Sequence, residues 1–289
     1  MFPAKRNPVS HPMVRFGAMA ILALMVGGLA ACGGGSGGGA ANPPKSLDAA
    51  KMPGAWINTS AGEHVYLLVE PSSTASFPAH VLGDAGLSMI AGTLNLAGSR
   101  VTGKGLAYAS SSSPFPNGVT SAALTVGGTA TAAPDTLSLG FAGNGQPLSS
   151  PQPFTPDAAA NTPVALADLA GTYQAPATAT SENQAVRVTI NPPAAGAATT
   201  TFTGVIDPGG ANAAFTGTIS TRNGAPAGTN LFTVSMPVPD GQGASINVSG
   251  VAYLRSGTPP TLVVMTSTSV DPASTTAEQV SGIFTRLPN

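Results

Sequence analysis

The chain has 289 residues, a single cysteine, 8% charged residues and a formal net charge of −1. Ordinary soluble domains carry about 25% charged residues, and a nucleic-acid binder needs clustered Lys and Arg. The composition therefore excludes a highly charged disordered protein and a basic nucleic-acid binder, and one cysteine excludes a fold held by internal disulfides. With 42% hydrophobic residues, the chain is able to bury a sizeable core.

The first 31 residues have the zones of a signal peptide. Three basic residues, Lys5, Arg6 and Arg15, occur there without any acidic residue. The apolar run Phe16–Leu29 follows. It is shorter than the ~20 residues of a membrane-spanning helix and suits the hydrophobic region of a signal peptide.

The motif Leu29-Ala30-Ala31-Cys32 closes this segment and contains the only cysteine of the chain. It resembles the lipobox of bacterial lipoproteins. The resemblance implies cleavage between Ala31 and Cys32, acylation of Cys32 and attachment to a membrane through that lipid. Because Gly33 and not Asp follows the cysteine, it implies the outer membrane, with the body facing either the periplasm or the exterior.

Residues 32–45 form the predicted tether, which is rich in Gly, Ser and Pro. Such tracts are flexible coils, and a dozen residues give a root-mean-square span on the order of 20 Å. Removal of the signal peptide leaves eight basic and twelve acidic residues, so the mature net charge is −4. This sign disfavours electrostatic attraction of the whole chain to nucleic acid or to anionic lipid.

The remaining chain contains two related halves, predicted as domains at 46–145 and 166–289. Each half opens with a Gly-x-aromatic motif, Gly54-Ala55-Trp56 or Gly171-Thr172-Tyr173, and continues with an apolar segment ending in Pro. A fixed order of similar segments indicates tandem duplication. The alternative is convergent composition in a chain rich in Gly, Thr and Ala. The matched later segments are Ala123–Ala130 with Ile246–Tyr253, and Thr136–Phe141 with Thr261–Met265.

Between the halves, residues 146–165 contain five prolines. Proline removes backbone donors and restricts the residue before it. We therefore predict a linker without regular structure.

Short apolar segments alternate with Thr or Ser throughout the second half, which is the period-two pattern of strands with one buried face. Turn residues such as Asp207-Pro208-Gly209 separate them. The predicted fold class is all-β, with two tandem antiparallel meanders that each close into a small barrel or sandwich. The segments are Thr201–Ile206, Ala214–Ile219, Leu231–Met236, Ser245–Leu254, Pro260–Ser269 and Val280–Leu287.

The Gly-x-aromatic opening, the meander and an Arg near the last strand resemble the calycin group, the relatives of lipocalins and avidins. The resemblance implies that Tyr173 and Arg286 form a barrel-closing pair in the second half. The first half offers Trp56, but its last clear strand, Leu137–Phe141, lacks an Arg. The Gly-rich tether and the Gly282-Ile283-Phe284 strand also resemble surface lipoproteins of the transferrin-binding and factor H-binding kind.

Histidine is scarce in the mature chain, which has only His64 and His80. Pairing with Glu63 or Asp84 would orient one of them as a general base, but a polar residue at a strand end or loop is the simpler interpretation. No zinc or EF-hand motif occurs, so we predict no catalytic residue, no metal site and no cofactor. Trp56 is interpreted as a core residue.

These observations favour a non-enzymatic, lipid-anchored envelope protein with a binding or structural role. A carrier of a small apolar ligand in a calycin-like cavity is the alternative, and an envelope hydrolase is a third hypothesis. The expected partners are the membrane, through the lipid, and a protein or a small apolar ligand, but not nucleic acid.

Overall fold

Apolar side chains that alternate with Thr, Ser and Gly form antiparallel strands in this computed structural model. Among the described residues, seventeen strands build two closed barrels in tandem. The predicted all-β fold of two antiparallel domains is confirmed. The structure describes residues 45–59, 64–83, 89–109, 115, 119–143, 146–147, 150–180, 184–207, 213–222, 230–239, 245–270, 273 and 277–288.

Barrel 1 is a meander in which each strand from β1 to β7 pairs with the next, and β9 then joins β7 to β1. The two-residue strand β8 pairs with β7. The strands are β1 (Gly54–Asn58), β2 (Val65–Val69), β3 (Ser76–Leu82), β4 (Met89–Ala97), β5 (Arg100–Tyr108), β6 (Ser121–Thr131), β7 (Thr136–Gly143), β8 (Gln146–Pro147) and β9 (Gln152–Pro156).

Barrel 2 is an uninterrupted eight-stranded meander that closes where its last strand pairs with its first. Full closure leaves no long free sheet edge, which matters in a chain with few charges to protect such edges. The strands are β10 (Gly171–Ala175), β11 (Val186–Ile190), β12 (Thr199–Ile206), β13 (Ala213–Thr221), β14 (Phe232–Pro239), β15 (Ser245–Arg255), β16 (Thr261–Ser267) and β17 (Gln279–Arg286).

The two barrels repeat one architecture. A short 3₁₀ helix precedes the first strand of each, at Ala49–Lys51 and at Leu166–Leu169. The apolar side chains in or beside each helix are buried in the core of the barrel that follows. They are Leu47 and Met52 in barrel 1, and Leu166 and Leu169 in barrel 2. The segments matched from the sequence occupy the same ordinal strand in both barrels. The predicted internal repeat is confirmed at this level.

The expectation of a linker without regular structure over residues 146–165 is wrong for part of that segment. Strand β9 lies within it and closes barrel 1. Prolines are tolerated because β9 pairs over only two residues with β1 and three with β7. Phe154 points into the barrel core and is 1% exposed, so its burial stabilises the strand.

Described apolar side chains pack into the interiors of both barrels. Barrel 1 is packed around Trp56, whose indole Nε1 donates to the Met52 carbonyl oxygen at 3.0 Å, and its interpretation as a core residue is confirmed. In barrel 2, Phe202 lies opposite Gly217 and Phe215 lies opposite Gly204 across β12 and β13. The two rings meet edge to face at 6.3 Å, because each occupies the space that its glycine partner leaves.

We predict that Gly217→Ala destabilises the protein. The added Cβ would lie 2.8 Å from Met236 Cβ and closer still to the Phe202 ring. Overpacking of a filled core costs about 1–3 kcal/mol. Urea unfolding followed by circular dichroism measures the change in the free energy of unfolding.

Gly127→Ala on β6 is the matched control, because a Cβ there meets no atom within 4 Å. It is expected to change the free energy of unfolding by less than about 0.5 kcal/mol. Equal stability of the two variants would contradict the Phe–Gly packing of barrel 2.

Candidate functional site at the seam between the barrels

An apolar seam joins the outer faces of the two barrels. Strand β1 is buried at all five positions, because Trp56 points into barrel 1 while Ala55 and Ile57 point toward barrel 2. The same double burial occurs at the end of β15, where Tyr253 faces the seam and Leu254 the core of barrel 2. The seam consists of Ala55, Ile57, Tyr66, Leu68, Leu82, Met89, Ala91, Leu106, Tyr108 and Ala160 with Leu231, Val251, Tyr253, Val263, Met265, Ala277 and Ile283.

Polar contacts at both ends of the seam set the relative direction of the barrels. Near residue 45, where the described chain enters barrel 1, Arg255 Nε donates to Asp157 Oδ2 at 2.8 Å. At the opposite end, the Tyr108 hydroxyl donates to the Ser269 carbonyl oxygen at 2.6 Å. The barrels therefore lie side by side with the same polarity. We call the end with Lys45, Asp157 and Arg255 the entry end, and the end with Tyr108 and Ser269 the distal end.

The connection between the barrels is bonded to both of them. Asn161 Oδ1 accepts from the Ala55 N–H at 2.8 Å, and Asn161 Nδ2 donates to the Ala55 carbonyl oxygen at 2.7 Å. On the other side, the Ser256 N–H and hydroxyl both donate to the Ala159 carbonyl oxygen. Asp157 accepts from Arg255 and also from the Ala159 N–H, at 3.1 Å. These bonds fix the connection as part of the seam.

A cluster of three charged or titratable side chains crosses the seam at the entry end. Glu70 follows β2 and is 3% exposed, and His80 on β3 is 7% exposed. Glu70 Oε1 lies 2.7 Å from His80 Nε2, and Glu70 Oε2 forms an ion pair with Arg222 of barrel 2. The buried carboxylate is thus compensated by a cation from the other barrel, as a buried charge requires.

This cluster has part of the geometry of a general base, because a carboxylate orients the imidazole. However, His80 Nδ1 has no hydrogen-bond partner in the described part of the chain, and no nucleophile contacts it there. The described residues also contain no group of three His, Cys, Asp or Glu side chains able to hold a metal ion. The cluster links the two barrels, because Glu70 of barrel 1 forms an ion pair with Arg222 of barrel 2.

His80 is buried within β3 and is therefore not the partly exposed residue at a strand end or in a loop that the sequence suggested. Its partner is Glu70, and Glu63 and Asp84 lie outside the described residues. His64 is partly buried and its ring stacks on Tyr66 at 6.2 Å. Antiparallel pairing of β2 with β3 brings residues on either side of the connecting turn onto one face of the hairpin. The sequence therefore contained a signal for the Glu70–His80 pairing.

The structure places Tyr173 directly opposite Arg286, where β10 and β17 close barrel 2. The guanidinium carbon lies 5.8 Å from the Tyr173 ring centroid, and Arg286 donates to the carbonyl oxygens of Asp168 and Ala170. Gly171 has φ +144°, and a Cβ there would lie 2.9 Å from Arg286 Nε, so the position favours glycine. Burial of Tyr173 raises its pKa, and the Arg286 charge opposes that rise.

In barrel 1, a different residue covers the glycine at the start of the first strand. Gly54 has φ +133°, and Asn161 covers it as Arg286 covers Gly171. The first half has no Arg in this role because its covering side chain follows β9 and is an amide. Asn161 was not identified from the sequence, since a lone Asn between prolines carries no distinctive signal.

The interior of barrel 1 contains a cavity of about 10 Å³, lined by apolar side chains that include Leu67, Val81 and Phe141. That volume is enough for about one water molecule. The space is therefore a packing defect and not a ligand chamber.

The remaining predicted site residues, Ala31 and Cys32, lie outside the described residues. In the described part of the chain, no helix is long and apolar enough to cross a membrane. No protein-family model, curated protein or solved structure matches this chain.

The seam contains two tyrosines, Tyr108 and Tyr253, whose pKa is raised by burial. Tyr253 packs edge to face on Tyr66 at 6.4 Å, and its hydroxyl has no hydrogen-bond partner among the described residues. Burial raises the pKa of Tyr253 well above its usual 10, and the nearby Tyr66 and Asp157 raise it further, while Arg255 lowers it. Burial also raises the pKa of Tyr108, against the lowering effect of its Ser267 bond.

We predict that Tyr253→Phe reduces the loss of stability above about pH 10. The unfolded phenol ionises there while the folded one keeps its proton, so rising pH favours unfolding by up to about 1.4 kcal/mol per pH unit. At pH 7 the same change is expected to cost less than about 1 kcal/mol, because the hydroxyl makes no bond to lose. Urea unfolding at pH 7 and pH 11 measures both effects.

Tyr108→Phe is the comparison, because it removes the bonds to Ser267 and Ser269. It is expected to cost about 1 kcal/mol at pH 7. The prediction for Tyr253 is wrong if Tyr253→Phe greatly lowers the free energy of unfolding at pH 7 and leaves the loss of stability between pH 7 and pH 11 unchanged.

Proposed function

We propose that this chain is a lipid-anchored protein of the bacterial cell envelope, held at the outer membrane, with a binding or structural role and no catalytic activity. The observation that carries the proposal is the order of the N-terminal features. A basic zone, a short apolar run and the Leu29-Ala30-Ala31-Cys32 motif precede a Gly-rich tether, and Cys32 is the only cysteine of the chain. A lipid on Cys32 would hold the folded body near a membrane, since each buried methylene contributes about 0.8 kcal/mol.

The form of the body supports display on such a tether. Ser46 bridges to Thr131, and the Leu47 N–H donates to the Ala130 carbonyl oxygen at 3.2 Å. The chain is thus fixed to barrel 1 close to the predicted tether. A body of two joined barrels offers a rigid outer surface to a partner.

A binding or structural role is preferred over the carrier hypothesis because of the barrel interiors. The aromatic residues Trp56, Phe154, Phe202 and Phe232 pack into them, all nearly fully buried. A small apolar ligand would have to displace these side chains. The lack of a nucleophile at His80 among the described residues likewise gives no support to a hydrolase.

We predict that Cys32→Ala abolishes incorporation of labelled palmitate and releases the protein from the membrane fraction. The matched control, Cys32→Ala combined with Ser36→Cys, restores one thiol within the Gly-rich segment but not in the lipobox. It is expected to remain unlabelled, since the resemblance assigns acylation to a cysteine after Leu29-Ala30-Ala31.

Palmitate labelling and membrane flotation after expression in a Gram-negative host measure both effects. Lipid incorporation or stable flotation by Cys32→Ala would contradict the anchor. Labelling of the Ser36→Cys control would contradict the role of the motif.

A further inference from the structure

Barrel 1 has an outer surface outside the seam, formed by β6, β7 and the halves of β4 and β5 that are far from Tyr108. Alternate residues of these strands, such as Leu94, Val101, Leu124 and Leu139, belong to the core of barrel 1. The residues between them point outward and are exposed or half-buried. We call this surface the polar face. Its residues are Asn95, Ala97, Arg100, Thr102, Lys104, Thr125, Gly127, Thr129, Ser138 and Gly140.

Two exposed cations on the polar face have no anionic partner. Arg100 and Lys104 lie on β5, and neither forms an ion pair with another residue of the described ranges. Between residues 85 and 156 the sequence contains one acidic residue, Asp135, which pairs with Lys51 at 2.9 Å. The polar face is therefore locally positive in a mature chain whose net charge is negative.

The other described arginines already have partners within the chain. These partners are Glu70 for Arg222, Asp157 for Arg255, Gln174 for Arg187, and the carbonyl oxygens of Asp168 and Ala170 for Arg286. Lys45 is exposed, but the exposed Asp48 lies three residues further along the chain and offsets its charge. Arg100 and Lys104 are thus the cations that remain available to the anions of a partner.

The rest of the polar face offers neutral hydrogen-bonding groups and a flat floor. Thr102 lies between the two cations, opposite Asn95 of β4 on one side and opposite Gly127 of β6 on the other. Gly127 is in turn opposite Gly140 of β7. A Cβ at Gly127 would meet no atom within 4 Å, so packing within the barrel does not require this glycine. Glycine inside a strand often marks a place where a ligand approaches the backbone closely.

We propose that the polar face binds an acidic polysaccharide whose uronic acid carboxylates lie at Arg100 and Lys104. The proposal rests on the binding role proposed above and names the partner for it. Arg100 and Lys104 are four residues apart on one face of β5, which separates them by ~13 Å along the strand. That separation suits single charges spaced along a polymer and not one compact dianion.

The neutral groups of the polar face favour a glycan over an acidic polypeptide. The Thr102 hydroxyl and the Asn95 amide are able both to donate to and to accept from sugar hydroxyls. The floor at Gly127 and Gly140 lets sugar rings approach the sheet. Each exposed charge contact is weak, so binding depends on several contacts in line along one polymer.

The test uses the full-length protein, purified in detergent, and a fluorescent oligomer of polygalacturonate, which carries one carboxylate on each sugar. Fluorescence anisotropy at about 0.1 M salt, where the Debye length is about 10 Å, measures binding. The methyl ester of the same oligomer lacks the charge, and poly-glutamate has carboxylates without sugar hydroxyls. We expect polygalacturonate to bind more tightly than either, and its binding to be lost in 1 M salt.

Arg100→Gln with Lys104→Gln should weaken binding about fivefold, which is the effect expected for the loss of two exposed charge contacts. The matched control, Thr203→Glu with Ser249→Glu, changes the net charge equally at exposed positions of barrel 2. It should leave binding nearly unchanged, because salt screens distant charges. Gly127→Val raises the floor of the polar face without changing the charge and should also weaken binding.

Equal binding of polygalacturonate and poly-glutamate would overturn the assignment to a glycan. An equal effect of the two double variants, or unchanged binding by Gly127→Val, would overturn the location on the polar face. Absence of polygalacturonate binding would overturn the proposal while leaving the lipid anchor intact, since palmitate labelling tests the anchor separately. A protein that lacks the lipid and still binds polygalacturonate would contradict the anchor and retain this site.

Discussion

Burial of both faces of the seam strands is the constraint on which the rest of the structure depends. Strands β1 and β2 each place one set of side chains in the core of barrel 1 and the other set against barrel 2. Full burial of each large apolar side chain contributes about 1.5–3 kcal/mol, so separation of the barrels would expose a costly surface. The polar bonds through Asp157, Asn161 and Glu70 then select one register for this contact. Tandem barrels that would otherwise be independent become one body.

That register gives the body two different ends. Packing with the same polarity places the ion pairs Lys51–Asp135, Arg255–Asp157 and Arg222–Glu70 at the entry end. The same packing fixes the position of residue 45 relative to both barrels.

Much of the fold could be predicted from the sequence, because period-two alternation and turn residues indicate strands that have one buried face. Strands β12 and β13 lie within one or two residues of their predicted limits. Strand β9 was not predicted, because its prolines indicate irregular structure. The strand tolerates them because it forms few hydrogen bonds to its neighbours. The seam was not predicted either, since local patterns do not specify which outer faces meet. The fully apolar run Val65–Val69 was the available signal of double burial, and His80 became buried through the same contact.

Because of the seam, we expect the two barrels to unfold as a single cooperative unit. Differential scanning calorimetry of residues 45–289 should show one transition whose calorimetric enthalpy equals its van't Hoff enthalpy. Two resolved transitions, or a calorimetric enthalpy about twice the van't Hoff value, would contradict it, because each barrel would then unfold without the other.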